Sequence, residues 1–374
     1  MKLTIERAAL LKALGHVQSV VERRNTIPIL SNVLIAAEGG GAHFSATDLD
    51  MEMVDSCAAE VEAPGKVTAP AHMLYEIARK LPEGAEVGLA YSGEDPRLLV
   101  QAGRSRFHLP VLPPGDFPKM STDGLSAPIA IEANELVRLI DKTRFAMSTE
   151  ETRYSLNGLY LHVVAEGGAP KLRAVATDTR RLALAEMPAP EGYAGAPGVI
   201  VPRKTIGEVR RLLDDAGDTV TLAVSAQKVR FDFGDASLTS KVVDGSFPAY
   251  QAVIPYENRR VMMLDNALFA SAVDRVATIS TDQSRAVRMS VEQGRMTLSV
   301  RNIDASNAVE ELEADYDGAP LGLSFNARYV LDVTAQIAGE SAEFRFAENA
   351  GGDPALVLDP TDAGVQYVLM PLRA

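Results

Sequence analysis

Ala46-Thr47-Asp48-Leu49-Asp50 and Ala176-Thr177-Asp178-Thr179-Arg180 are one short phrase written twice in the same chain. Their surroundings repeat as well. Phe117-Pro118 follows the first phrase at the same distance as Phe247-Pro248 follows the second. Between these landmarks lies a short helical segment, Pro70-Ala71-His72-Met73-Leu74 and then Pro202-Arg203-Lys204-Thr205-Ile206. Upstream, a helix-like stretch opens each copy, from Ile5 to Val21 and from Ile131 to Phe145. A third, weaker copy begins with Leu264 to Ile279. It continues through Arg301-Asn302-Ile303-Asp304 and Asn326-Ala327-Arg328-Tyr329-Val330 to Tyr367-Val368-Leu369-Met370-Pro371. Self-similarity at a long fixed period marks a chain built from structural repeats. The sequence therefore predicts three similar domains, 1–126, 127–257 and 258–374, meeting near the proline-containing segments 122–128 and 255–260.

Between the landmarks, apolar and polar residues alternate. Val220-Thr221-Leu222-Ala223-Val224 and Val229-Arg230-Phe231-Asp232-Phe233 are examples. Period-two runs bounded by Gly, Asp and Ser read as half-buried antiparallel strands. Gly39-Gly40-Gly41 reads as a hairpin turn. Two helices and many short strands per copy define an α+β class.

The 374 residues fit two or three domains of about 100–200 residues each. With 47% hydrophobic residues, the chain can bury a sizeable core. A single cysteine, Cys57, excludes an intramolecular disulfide and a cysteine-based zinc site. The five histidines lack metal-ligand spacing, so neither metal nor cofactor is expected. No apolar run is long enough to span a membrane, and the N-terminal residues lack an h-region, which points to a bacterial-type cytoplasm or another reducing compartment. A net charge of −13 argues against coating by nucleic acid but leaves room for a local basic channel.

The opening helix carries Leu10, Leu14, Val17 and Val21 on one stripe, with Lys12, His16 and Arg23 on another face. In the second copy Leu136, Leu139 and Ile140 are apolar, while Arg138 and Lys142 sit four apart. The short helices add Arg79 and Lys80, then Arg203, Lys204, Arg210 and Arg211. Cations thus recur on the non-core helix faces of an acidic protein. The third copy has Arg275 and Arg328 and no lysine.

These landmarks together resemble the bacterial DNA polymerase III β subunit family, over essentially the whole chain. The most specific stretches are Thr26-Ile27-Pro28-Ile29-Leu30, Thr47 to Met53, Leu81 to Glu86, Gly103 to Phe107, Arg153 to Gly158, Val201 to Lys204, Ser240 to Pro248 and Met370-Pro371-Leu372-Arg373. The resemblance implies three similar clamp domains per chain, each with two helices facing the interior of a ring and antiparallel sheets outside. Two chains would join head to tail as a homodimer. Such a ring threads duplex DNA without reading its sequence, is not an enzyme, and works at the nucleoid during replication. Scattered Lys and Arg suit that role, because base-specific contacts would arrest sliding.

By position, the resemblance implies that Arg24 contacts DNA and that Arg79, Arg153, Tyr154, Arg203 and Lys204 face or border the hole. Helix faces add Lys12, Arg138 and Lys142. It also implies a cleft for short peptides from the replicative polymerase, an ATP-driven clamp loader and repair proteins. The matching residues are Leu156, Thr177, Arg181, Leu182, Pro248, Val253, Asn326, Tyr329, Val368, Met370, Pro371, Leu372 and Arg373. The sequence departs from the familiar pattern at Arg180, Ala252, Ser284 and Ala374, which stand where His, Arg, an aromatic and Leu occur in the family. The dimer contact is expected between Arg104, Arg106 and Phe107 of one chain and the helix bearing Val273, Asp274, Val276 and Ile279 of the other.

Nothing matches a phosphate-binding loop, a nucleophile elbow or a zinc-protease motif. The best enzyme-like feature is Asp48, Asp50 and Glu52, whose alternation would line up three carboxylates on one strand face, as a Mg²⁺ nuclease requires. No such triad recurs in the other copies, so a solvated strand face is expected there.

Overall fold

The protein, a computed structural model, is described over residues 1–165, 168–193, 195–280, 285–302, 306–348 and 352–372. In chain order the first copy contains β1 (Lys2–Glu6), α1 (Arg7–Gln18), β2 (Asn32–Glu38), β3 (Gly41–Thr47), β4 (Met51–Ala58), β5 (Glu60–Ala63), β6 (Gly65–Pro70), α2 (Ala71–Lys80), β7 (Glu86–Ala90), β8 (Arg97–Ala102) and β9 (Ser105–Pro110). The second contains β10 (Ile129–Glu132), α3 (Ala133–Asp141), β11 (Gly158–Val164), β12 (Lys171–Thr177), β13 (Arg181–Pro188), β14 (Val199–Pro202), α4 (Arg203–Leu213), β15 (Thr219–Val224), β16 (Lys228–Asp232) and β17 (Ala236–Lys241). The third contains β18 (Arg260–Asp265), α5 (Asn266–Ala277), β19 (Ala286–Glu292), β20 (Arg295–Arg301), β21 (Asn307–Glu313), β22 (Leu321–Asn326), α6 (Ala327–Thr334), β23 (Ser341–Phe346), β24 (Ala355–Asp359) and β25 (Asp362–Leu369). Apart from the extra β5, one order of elements is spelled three times.

Each copy opens with a strand where the sequence suggested only a helix. Ile5, Ile131 and Leu264 lie in β1, β10 and β18, and the helices begin two residues later. The acidic residue at the junction explains the switch in the first and third copies. Glu6 has extended backbone, and its carboxylate accepts the amides of Ala8 and Ala9; Asp265 does the same for Leu268. The hairpin expected at the glycine run is present. Gly39 and Gly40 both have positive φ between paired Glu38 and Gly41, as a two-residue turn of type I′ demands.

The repeated phrase folds identically in both copies. Thr47 Oγ1 donates to the Met51 carbonyl and accepts the Leu49 amide, while Asp48 Oδ1 accepts the amides of Asp50 and Met51. Thr177 and Asp178 make the same four bonds to Arg181, Thr179 and Arg180. Leu49 and Thr179 both adopt positive φ, 78° and 76°. That conformation costs a non-glycine residue about 1 kcal/mol or more, and the four side-chain bonds offset it. Asp48 and Asp50 therefore lie in a turn, not on a strand. Glu52 is buried and accepts the Met120 amide, so the triad neither converges on a metal nor forms a solvated face.

The chain forms two compact units, residues 1–134 with 190–242 and residues 135–189 with 243–374. In the first unit β10-β15-β16-β17-β4-β3-β2-β6 make one antiparallel sheet, because β17 of the second copy pairs with β4 of the first, Leu238 opposite Met53. In the second unit β11-β12-β13-β25-β24-β23-β18 run in order, β13 pairing with β25, Leu182 opposite Val368. Two other sheets are β5-β1-β7-β8-β9, with edges β5 and β9, and β21-β20-β19-β22, with edges β21 and β22.

Candidate functional site

In the first unit, α1 buries Leu10, Leu14 and Val17 and exposes Lys12. His16, expected on the polar face, is buried. Its Nδ1 lies 2.5 Å from Asp55 Oδ2 and its Nε2 lies 3.1 Å from Asp215 Oδ2. Burial alone would lower its pKa, but hydrogen bonds to Asp55 and Asp215 outweigh that and raise it. Arg24 is exposed in the segment after α1, and Arg79 is exposed at the end of α2, paired with Glu76 at 2.7 Å. Arg203 and Lys204 form the first turn of α4, both exposed; Lys204 is held by Glu22 and by Asp48.

In the second unit Arg153 bonds Thr179 Oγ1 at 2.8 Å and pairs with Glu150 at 2.9 Å. Tyr154 beside it is 61% exposed, with its ring over Gly245. A Cβ on Gly245 would stand 3.2 Å from the ring, and its φ of 145° also favours glycine. Two expected channel cations are otherwise engaged. The Arg138 guanidinium bonds Asp362 Oδ2 at 2.9 Å, Glu135 at 3.2 Å and the Glu186 carbonyl at 2.6 Å, and Lys142 Nζ bonds the Gln336 carbonyl. Both tie elements of their own unit together.

The expected peptide residues that are described lie in this unit, Leu182 and Val368 among them at the join of β13 and β25. Leu182 and Val368 face each other in a buried cluster with Val175, Leu184, Tyr250, Ile254 and Leu356. Both are closed to solvent. Leu156 is buried too, whereas Pro248 is exposed and Val253 is 51% exposed. Beyond β25 the chain continues as a strap. The Met370 amide bonds the Arg180 carbonyl at 2.9 Å and the Leu372 amide bonds the Ser324 carbonyl at 2.7 Å. Met370 is 37% exposed and Pro371 is buried. Thr177 is occupied by its turn, and the Asn326 side chain caps α6 by accepting the Arg328 amide. Arg373, Ala374 and Ser284 lie outside the described residues, as do Ile303 and Asp304 of the third landmark.

Arg181 is the organising residue of that join. Its guanidinium carbon sits 4.5 Å from the Tyr329 ring centre and 5.1 Å from that of Phe145. Its nitrogens bond Asp178, Asp332 and the Phe145 carbonyl. A buried cation persists only with this degree of pairing. Sequence reasoning named Arg181 and Tyr329 and missed Phe145, Asp178 and Asp332; Asp178 was signalled only by its place in the repeated phrase.

Tyr250 of that cluster also belongs to a polar network. His162 Nε2 lies 3.0 Å from the Tyr250 hydroxyl, which also accepts from Arg173; Arg173 and Lys171 pair with Glu186. Burial, with Arg173 nearby, pushes the His162 pKa down to about 4. Unfolded, the same imidazole titrates near ~6.5. Between those values the unfolded chain binds a proton that the folded chain refuses, so stability falls as pH drops from ~6.5 towards 4. The expected loss from pH 7 to 5 is about 2 kcal/mol. His16 acts with the opposite sign, adding stability below ~6.5 that is lost as pH rises through its folded pKa. A difference measurement therefore isolates His162. His162→Gln, unfolded in urea at both pH values, should lose this acid sensitivity; an unchanged pH dependence would contradict it.

At the expected dimer surface, Arg104 and Arg106 are exposed and Phe107 is half-buried on β9. On α5, Asp274 is exposed and Ile279 just beyond is half-buried. Val273 and Val276 are corrected. They are 1% and 2% exposed, because the stripe Phe269, Ala272, Val273, Val276 faces the core of its own domain. What lies open on that side is the edge of β21, with Val309 63% exposed beside Glu311 and Glu313.

Comparison with known proteins places the chain. Family models of the DNA polymerase III beta subunit match it three times: the N-terminal domain at residues 1–121, the central domain at 130–249 and the C-terminal domain at 251–373. The chain belongs to that family, the β sliding clamps. The beta sliding clamp of Caulobacter vibrioides is 70% identical over 373 residues, covering 100% of both chains. That of Escherichia coli K12 is 35% identical over 374 residues, again covering 100% of both. A crystal structure of the C. crescentus clamp with bound polyethylene glycol superimposes with a TM-score of 0.98 at 70% identity, covering 100% of this chain and 99% of that one. The Bartonella birtlesii clamp bound to griselimycin gives 0.96 at 45% identity, covering 100% of both. Three α+β clamp domains thus replace the nuclease reading.

Proposed function

We propose that this chain is a DNA sliding clamp, a non-catalytic processivity factor that encircles duplex DNA and tethers the replicative polymerase, the clamp loader and repair proteins. The observation that carries the dimeric ring is a rule of sheet joining. The last strand of one copy pairs with the third long strand of its neighbour: β17 with β4, and β25 with β13. By the same rule β9 pairs with β21, and each of these stands at an edge of its sheet. Within one chain they are the ends of the series, so a second chain must supply the partner. Charge agrees, with Arg104, Arg106 and His108 at β9 and Glu310, Glu311 and Glu313 on β21. A heterologous contact of this kind closes when two copies suffice for a full turn.

The domains of the ring are taken as 1–126, 127–257 and 258–374. Lys12, Arg24, Arg79, Arg138, Lys142, Arg153, Tyr154, Arg203 and Lys204 are the proposed DNA-facing groups, attracting phosphates spaced one charge per ~1.7 Å of duplex. The join organised by Arg181 is the proposed peptide cleft, with Met370, Val253, Pro248, Tyr329 and Leu372 around a floor of Leu182 and Val368. The relative solved with griselimycin shows that a clamp of this fold accepts a bound ligand. No described helix is long and apolar enough to cross a membrane, and we assign the protein to the bacterial cytoplasm, at the nucleoid.

The test is topological. Protein loaded by a clamp loader and ATP onto a nicked circle should survive gel filtration on the circle and leave once the circle is cut. Equal retention on both forms would mean ordinary surface binding and reject the ring.

A further inference from the structure

Lys204 stands at an awkward place. It is in the first turn of α4, where the helix dipole disfavours a cation. Two carboxylates from the first copy compensate: Glu22, just beyond α1, and Asp48, in the repeated turn, whose Oδ2 is 2.6 Å from Nζ. Asp48 contributes without strain, because its other oxygen already fixes the turn by accepting two amides. One lysine between two carboxylates gives a cluster of net charge −1, which a phosphate does not find attractive. Yet the lysine side chain is 39% exposed, so it is reachable. The same turn holds a second lysine in the same manner, Lys241 on Asp50 at 3.0 Å.

We propose that Glu22 and Asp48 are positioning residues that hold Lys204 back from DNA phosphates, so that the clamp attracts the duplex without seizing it. The inference rests on the reading of Lys204 as DNA-facing. Its physical content is an exchange of partners. When an unpaired lysine neutralises a phosphate, the DNA releases a counterion. When Lys204 does so, it abandons two carboxylates, which take up cations in turn, and the net release shrinks. The site then adds little affinity and little salt dependence, as a surface that must be traversed requires.

A charge series tests this. Glu22→Gln and Glu22→Gln/Asp48→Asn take the cluster from −1 to 0 to +1, and the side-chain carbonyl oxygen introduced by Asp48→Asn can still accept the turn amides. Full-length protein would be titrated with a short fluorescent duplex between 50 and 200 mM salt, with melting curves checking the fold. Affinity should rise about three-fold per step, the scale of an exposed ion pair, and the log–log salt slope should steepen by up to ~0.9 in the double variant. Lys204→Ala should weaken the parent slightly and erase the gain when added to the double variant. A flat series overturns the inference. If Lys204→Ala still weakens binding in that case, the DNA-facing reading survives; if it too is silent, both fall. A gain that persists without Lys204 also overturns the inference, since it would come from removing negative charge alone.

Discussion

Removal of Met370 to Ala374 should abolish binding of a polymerase-derived peptide while leaving a folded dimer. The strand β25 ends at Leu369, so its pairing with β13 and β24 stays whole. Among the described residues, the backbone loses two bonds, from Met370 to Arg180 and from Leu372 to Ser324. At about 1 kcal/mol each, with the burial of Pro371, this is a tolerable cost for a core of this size. Binding is another matter. A short peptide depends on a few anchors in one trough, and each lost wall costs about 2 kcal/mol or more. The truncation removes Met370, Pro371 and Leu372 together, so affinity should fall at least about 100-fold. Fluorescence polarisation with the labelled peptide reads the loss, and gel filtration reads the dimer. Binding within a few-fold of the parent would remove the cleft from this place.

Phe107→Asp should split the dimer. Phe107 is the half-buried apolar residue of β9, between exposed Arg106 and His108. If β9 completes its sheet against β21 of a second chain, the substitution puts an unpaired carboxylate into that seam, next to Glu310, Glu311 and Glu313. The cost per contact is about 3 kcal/mol, from lost apolar burial and an unsatisfied charge. A closed pair has two such contacts, so the ring loses about 6 kcal/mol, roughly four orders of magnitude in its dissociation constant. Analytical ultracentrifugation should find monomer at micromolar concentration, with melting little changed, because the site lies at an edge and outside the core. A surviving dimer would mean that the edges of β9 and β21 do not meet.

Much of this architecture was legible as sequence because repetition is a local signal. The phrase at Thr47-Asp48 and Thr177-Asp178 marks a turn whose four hydrogen bonds are all short-range, so similarity of letters carried over into identity of fold. The short helices were placed well because a proline or Asn326 stands at each start. The opening strands were missed because β1 runs straight into α1, and Ile5 and Leu10 read as one apolar pattern until the capping role of Glu6 is known. Long-range pairing was not legible at all. Asp215, which bonds His16, is 199 residues away, and Asp362, which pairs with Arg138, is 224 away. Both pairings were hidden for one reason: a charged residue on the polar stripe of a helix looks the same in sequence whether it meets water or a distant carboxylate.

The joining of β17 to β4 has a consequence for how the chain is made. These strands are separated by about 180 residues, and at ~5–20 residues per second a ribosome needs roughly 10 to 35 s to deliver the second after the first. Over that interval β4, from Met51 to Ala58, waits with one side unsatisfied, a template for pairing with any strand that arrives early. The first repeat therefore cannot mature as it emerges. Its completion is deferred until the far half of the middle repeat is in hand, and synthesis halted near residue 190 would leave an adhesive fragment in place of a finished domain.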